Sequence, residues 1–221
     1  MKNVLIVNQS AELYGADKAI LELINNFPEN YNPIVVLHEK GPLKQLLEKK
    51  GIQVIYSSVI KVKRGILKPS FFIKLPFEII KSFLTIKRQL KGKKIHLVHS
   101  NATSVFIGAF YSFFFRIPHL WHVHEIIERP SIFKKAFVGL LSLESNTHIV
   151  YNSQATRVFW ETNQKIKIKG VVIWNGIEIN TSEISAYEIT EIRKNLFFAE
   201  PNEVVLALVG RISRWKGQMI L

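Results

Sequence analysis

Short apolar runs recur along this chain with helical patterns between them, and that alternation restricts the fold more than any other feature. Val4 to Val7, Ile34 to Leu37, Ile52 to Tyr56, Ile95 to His99, Leu120 to His124, Thr147 to Tyr151 and Val171 to Trp174 read as strands. Val4-Leu5-Ile6-Val7 is apolar without alternation, as in a strand buried on both faces. Ala19, Ile20, Leu23, Ile24 and Phe27 stand at helical spacing, and Pro28 closes that helix. Pro42 suits a first helical turn, Leu43, Leu46 and Leu47 form the stripe behind it, and Gly51 is a stop. Further helices are expected over about Phe71 to Leu90, Ala102 to Phe115, Ser131 to Leu143 and after Ser153, a suitable N-cap. Strand–helix alternation predicts an α/β domain: a doubly wound, Rossmann-like parallel sheet with right-handed crossovers and helices on both faces.

The texture changes after Asn175-Gly176. A polar stretch from Asn180 to Tyr187 precedes an expected helix, Ile189 to Phe198, and an expected strand, Val204 to Val209. One strand cannot bury a core. The reading is therefore a complete domain over residues 1–181, and a hinge with the incomplete start of a second over residues 182–221. The expectation is a truncated chain, or one whose second domain is a separate polypeptide.

With no cysteine, the chain has no disulfide scaffold, thiol nucleophile or Cys-ligated metal. Its longest apolar stretch, Val105 to Phe115, falls short of the roughly 20 residues of a membrane span. The N-terminus lacks the pattern of a signal peptide and reads as the buried strand of a cytoplasmic protein. The net charge is +13, which suits an anionic partner. It is concentrated: residues 61–94 hold eleven cations and one acid, Glu78, among large apolar side chains. Such interleaving describes a helix lying on an anionic membrane surface; the alternative is a core helix with a basic outer face. Nucleic-acid binding rests on charge alone, with no supporting motif, so no nucleic-acid partner is expected.

Ligands of open parallel sheets bind beyond the carboxyl ends of the strands. Four loops are candidates. The loop from Asn8 to Lys18 has Tyr14-Gly15-Ala16-Asp17 just before a helix, where Gly15 allows close backbone approach and the helix end offers N–H groups; the alternative is a turn glycine, with Asp17 favouring the helix dipole. His99-Ser100-Asn101 follows a strand. In Trp121-His122-Val123-His124-Glu125, alternation sends His122 and His124 to one side. They could be hydrogen-bonded structure or ligands, but the spacing is not that of a helical zinc motif. Gly210-Arg211 with Lys216-Gly217 puts two cations around a turn, suiting a diphosphate or forming a solvated basic turn.

Six segments, in order, resemble family 4 glycosyltransferases, retaining enzymes of the two-domain GT-B architecture. They are YGADKAILELI, IHLVHSN, WHVHE, IVYNSQATR, WNGIEI and LALVGRISRWKG. The resemblance covers the N-terminal domain and the start of the C-terminal one. It implies that His124 is the active-site histidine that hydrogen-bonds the donor sugar. Gly15 would stand near the donor phosphates or the acceptor, and Arg211 and Lys216 would neutralise the donor diphosphate. Tyr14, His99, Asn101, His122 and Glu125 would line the cleft on the acceptor side. The family needs no divalent cation, so no metal and no cofactor are expected beside the nucleotide-sugar substrate. Tyr14, Asp17 and Glu178 depart from the family's usual Gly, Glu and Asp. The family's paired glutamates have no counterpart here.

The resulting expectation is the acceptor-side domain of a glycosyltransferase, peripheral at the inner face of a membrane. It would transfer a sugar from a nucleotide-sugar to a glycan or lipid-linked acceptor, and be inactive without its second half. The competing reading is a non-catalytic domain that binds a membrane or a partner half-enzyme.

Overall fold

The computed structural model describes residues 1–58, 69–162, 166, 168–176, 184–210, 212 and 217–218. The chain divides into two compact units, Met1–Glu178 and Ile179–Leu221.

The first unit alternates strand and helix as its apolar pattern demands: β1 (Lys2–Asn8), α1 (Gly15–Asn25), β2 (Tyr31–Leu37), α2 (Pro42–Lys49), β3 (Gln53–Tyr56), α3 (Pro69–Leu90), β4 (Ile95–Asn101), α4 (Phe106–Phe115), β5 (His119–Val123), α5 (Ser131–Leu141), β6 (Asn146–Tyr151), α6 (Gln154–Glu161) and β7 (Val171–Val172). All seven strands join one sheet in the order β3-β2-β1-β4-β5-β6-β7. Every pairing is parallel. The order reverses at β1, so the carboxyl ends of β1 and β4 flank the switch point where open α/β sheets bind ligands.

Side-chain alternation divides the sheet into two faces. On one, Val4, Ile6, Val35 and Leu37 pack with Ile20 and Ile24 of α1 and Leu43 and Leu47 of α2. On the other, Leu5, Val7, Ile34 and Val98 meet Ile86 and Leu90 of α3 and Ile107 of α4. Trp121, Ile149 and Tyr151 continue that second face against Phe133 and Phe137 of α5 and Trp160 of α6. Helices thus cover the second face along its length. On the first face, α1 and α2 pack over β1 and β2, and Leu97 of β4 packs against the same cluster.

Local chemistry explains several boundaries. Ser153 caps α6, its Oγ accepting from the Thr156 amide at 3.2 Å. Gly108 lets α4 lie against β4: a Cβ there would stand 2.1 Å from Ser100 Oγ. Two expectations need correction. α4 begins at Phe106 rather than Ala102, because Ala102–Val105 form a turn that holds the site. Val204–Val209 pairs with no strand among the described residues. An apolar run becomes a strand only with a ladder partner and something to bury it against, and Val204, Leu206 and Val209 stay exposed. The following helix-like pattern falls largely on residues outside the described set. The second unit's helix α7 (Ala186–Phe197) carries a capping box, with Ser185 Oγ accepting from the Glu188 amide at 3.2 Å. No helix of the described residues is long and apolar enough to cross a membrane.

Candidate active site

The carboxyl ends of β1, β4 and β5 carry Asn8, Asn101 and, one residue beyond β5, His124. Asn8 and Asn101 lie opposite one another in the ladder. The parity that puts Val4 and Ile6 on the first face puts Asn8 there too, and the same holds for Leu97, His99 and Asn101, and for Leu120, His122 and His124. Three strand ends therefore deliver three polar side chains to one edge.

These side chains form a continuous relay. His124 Nε2 meets Asn101 Oδ1 at 2.8 Å. Asn101 Nδ2 donates to Asn8 Oδ1 at 2.8 Å and to the Ala16 carbonyl at 3.1 Å. Asn8 Nδ2 donates to Asp17 Oδ1 at 2.7 Å and to the Ser10 carbonyl at 2.9 Å. Asp17 also accepts from the Ser10 hydroxyl and, at 3.1 Å, from the Tyr14 amide. The relay ties the first loop and the start of α1 to His124, through side chains that are almost wholly buried at Asn8, Asp17 and Asn101.

Because an amide carbonyl only accepts, His124 Nε2 carries the proton and Nδ1 is its acceptor nitrogen. Burial pushes the His124 imidazole down to about 4, so it is neutral at pH 7. A neutral imidazole in this place can hydrogen-bond a sugar hydroxyl without adding charge. At the other end of the relay, Tyr14 and Gly15 are exposed, and a Cβ on Gly15 would meet nothing within 4 Å. The N-terminus of α1 thus opens onto unfilled space.

The remaining candidates divide by direction. His99 and His122 line a cleft of about 700 Å³ on the first face, with Leu97, Leu120 and Val150 on its floor, Leu23 of α1 on one side and, from beyond β7, Trp174 on the other. Their rings stack with centroids 5.9 Å apart, and the His122 and His124 rings are 4.0 Å apart. His124 thus joins the relay to the cleft. Neither His99 Nε2 nor His122 Nε2 has a hydrogen-bond partner among the described residues. Burial, helped by the neighbouring imidazoles, pushes His99 down to about 3 and His122 lower still. Glu125 turns away from the histidines: its Oε2 accepts from the Thr103 amide at 3.1 Å and hydroxyl at 3.0 Å. Burial raises its carboxyl above the ordinary value, and those two donors oppose the rise. Its carbonyl accepts from Trp160 Nε1 at 2.9 Å, while Trp121 Nε1 donates to the Ala102 carbonyl at 2.8 Å. Glu125 is thereby fixed to the turn ahead of α4.

Arg211, Lys216 and Glu178 lie outside the described residues. Sequence reasoning placed Asn8 and Ser10 in the first candidate loop without a role of their own, missed Thr103, and gave Asp17 to the helix dipole rather than to the relay. For Asn8 a signal existed: it ends a strand at the parity of Asn101 and His124. Thr103 gave none, since it sits in a stretch patterned as helix.

The family model for Glycosyltransferase Family 4 matches residues 14–181. The chain belongs to glycosyltransferase family 4. The match takes in Tyr14, Gly15, Asn101 and His124. Among solved structures, this family 4 chain is similar to Alr3699/HepE of Anabaena in complex with UDP, with 26% identity and a TM-score of 0.74 over 100% of this chain and 56% of that one. The same protein in complex with UDP and glucose gives 24% identity and a TM-score of 0.75, with the same coverage. MurG of Acinetobacter baumannii shares the fold at 14% identity and a TM-score of 0.53, over 83% of this chain and 48% of that one. The chain spans about half the length of these structures. No curated protein matches it. The sheet and its flanking helices are the N-terminal half of the GT-B architecture.

Proposed function

We propose that the chain is the acceptor-side half of a nucleotide-sugar glycosyltransferase that acts with retention at the anomeric carbon. The carrying observation is the relay from Asp17 through Asn8 and Asn101 to His124. It gives a neutral, rigidly held imidazole and an open helix N-terminus one common edge of the sheet. Preorganised polar groups of this kind stabilise a reacting sugar at low reorganisation cost. In this reading His124 hydrogen-bonds a hydroxyl of the donor sugar, Gly15 leaves room for phosphates or acceptor, and Arg211 and Lys216 neutralise the leaving diphosphate in place of a metal. The UDP and UDP-glucose complexes of Alr3699/HepE favour a uridine nucleotide. His99, His122 and Trp174 offer acceptor-side contacts along the cleft, for a glycan or a lipid-linked saccharide. Catalysis needs donor and acceptor held together, an effect of ~7–11 kcal/mol. The reading therefore includes a second, donor-binding half.

The test is transfer of radiolabelled sugar from UDP- and GDP-sugars to a membrane extract. It is run on the chain alone and with a family 4 C-terminal half supplied in trans. The expected result is turnover only in the second arm, falling at least ~100-fold in His124→Ala, the size of effect seen when one electrostatic donor is removed. No transfer from any donor in either arm, or transfer that His124→Ala leaves intact, overturns the reading.

A further inference from the structure

α3 is apolar on two sides. Leu75, Ile79, Phe83, Ile86 and Leu90 pack on the core. At about 100° per residue, Ile73, Phe77, Ile80 and Leu84 fall within an arc of about 60°, centred roughly 130° around the helix from the core-facing side. They are 70%, 72%, 56% and 63% exposed. Core packing accounts for the first side and leaves the second unexplained. Lys74, Lys81 and Arg88, seven residues apart and all exposed, form a row along one edge of this stripe, and Lys87 flanks the other. Glu78 is the only acid on the helix. Phe114 of α4, itself exposed, meets Phe83 edge-on at 5.6 Å and extends the apolar surface beyond α3.

The placement of the stripe follows from how α3 is anchored. Ser82 Oγ donates to the Ser58 carbonyl at 2.9 Å, and Gln53 Nε2 donates to the Gln89 carbonyl at 2.9 Å. Ser82 is therefore level with the carboxyl end of β3. A crossover helix runs antiparallel to its strands, so the first half of α3 extends as much as about 20 Å past that level. It does so at the end of the sheet that carries Asn101 and His124.

We propose that the outer stripe of α3 docks on an anionic lipid bilayer. The four apolar side chains enter the boundary between headgroups and acyl chains, and Lys74, Lys81, Arg88 and Lys87 meet lipid phosphates. Charge decides among occupants. A second copy of this chain would bring a like-charged row against the first. Nucleic acid would satisfy the cations and leave the apolar stripe in water. Docking itself does not depend on sugar transfer. On the glycosyltransferase reading, it would hold the mouth of the site at the membrane, where a lipid-linked acceptor arrives.

The experiment is flotation of the chain with vesicles of phosphatidylcholine alone, or with about one third phosphatidylglycerol, at about 0.15 M salt. Binding to duplex DNA is measured in the same buffer. Two variants are compared, K74E/K81E/R88E and I73S/F77S/I80S/L84S, with circular dichroism as a check on folding. All seven side chains are exposed, so both variants should keep the fold; the charge variant alone still decides the matter if the apolar one unfolds. Flotation only with the anionic vesicles, reduced at least about tenfold in each folded variant, supports the proposal. Absence of flotation overturns it, as does flotation that the charge variant retains. DNA binding in place of vesicle binding, or a dimer by sedimentation that the serine variant abolishes, also overturns it by naming another occupant. None of these readouts involves sugar transfer, so the two proposals fail separately.

Discussion

Asn101 carries three hydrogen bonds in a place without access to solvent, which makes it the most exacting residue of the site. Truncating it leaves the Asn8 Oδ1, the Ala16 carbonyl and His124 Nε2 without their partner. Asn101→Ala should lower the unfolding free energy by about 1–3 kcal/mol in urea titration, and a loss close to zero would mean the relay is not formed in solution. The histidines set a pH dependence. His99, His119, His122 and His124 all have imidazoles held below the ordinary value of 6.5, chiefly by burial. Below that value the unfolded chain takes up protons that the native state refuses. Stability is therefore fully present above about pH 6.5 and falls as the solution is acidified, by up to about 1.4 kcal/mol per pH unit for each histidine. Thermal melts at about pH 7.5 and about pH 5 test this, and equal midpoints would show that the rings are hydrated. The candidacy of Asn101 and His124 was legible in sequence because both end apolar runs. The division of labour among the histidines was not: which ring faces the cleft depends on ladder register, and register is a property of strand pairs.

At the scale of elements, α4 is held against β4 by a single missing methyl group. The Ser100 hydroxyl that a Cβ on Gly108 would strike is itself bonded to His119 Nε2 at 2.9 Å. Gly108→Ala should cost about 1–3 kcal/mol by overpacking, despite the better helix propensity of alanine. A stabilised variant in the same urea titration would show that α4 can shift outward. Element identity was readable wherever an apolar run was going to be buried; the strands before β7 fall within a few residues of their expected bounds. Errors arose where local pattern and tertiary partners disagreed. Ala102–Val105 have helical composition, yet their backbone serves Trp121 and Glu125. Val204–Val209 have strand composition and no ladder among the described residues. The basic segment shows the opposite case. Its period announced α3, but only packing could tell the core side of the helix from the outer stripe, since both are apolar.

At the scale of the molecule, all three hydrophobic clusters lie within Met1–Glu178, and α7 of the second unit buries no residue. A chain ending at Glu178 should thus unfold in one cooperative step with a midpoint within about 4 °C of the full 221 residues, a shift worth roughly 1 kcal/mol or less. A broad transition or a larger loss would assign part of the core to the second unit. Strand order could not be read along the chain, because the return from β3 to lie beside β1 is set by crossover geometry. The apolar cleft on the first sheet face has a practical consequence for such melts. Leu97, Leu120, Val150, Ile173 and Trp174 present apolar surface in the native state, so an environment-sensitive dye should fluoresce on the folded protein before any heating. Dye-based thermal assays would start bright and report little, whereas the buried indoles of Trp121 and Trp160 give an intrinsic signal that follows the sheet itself.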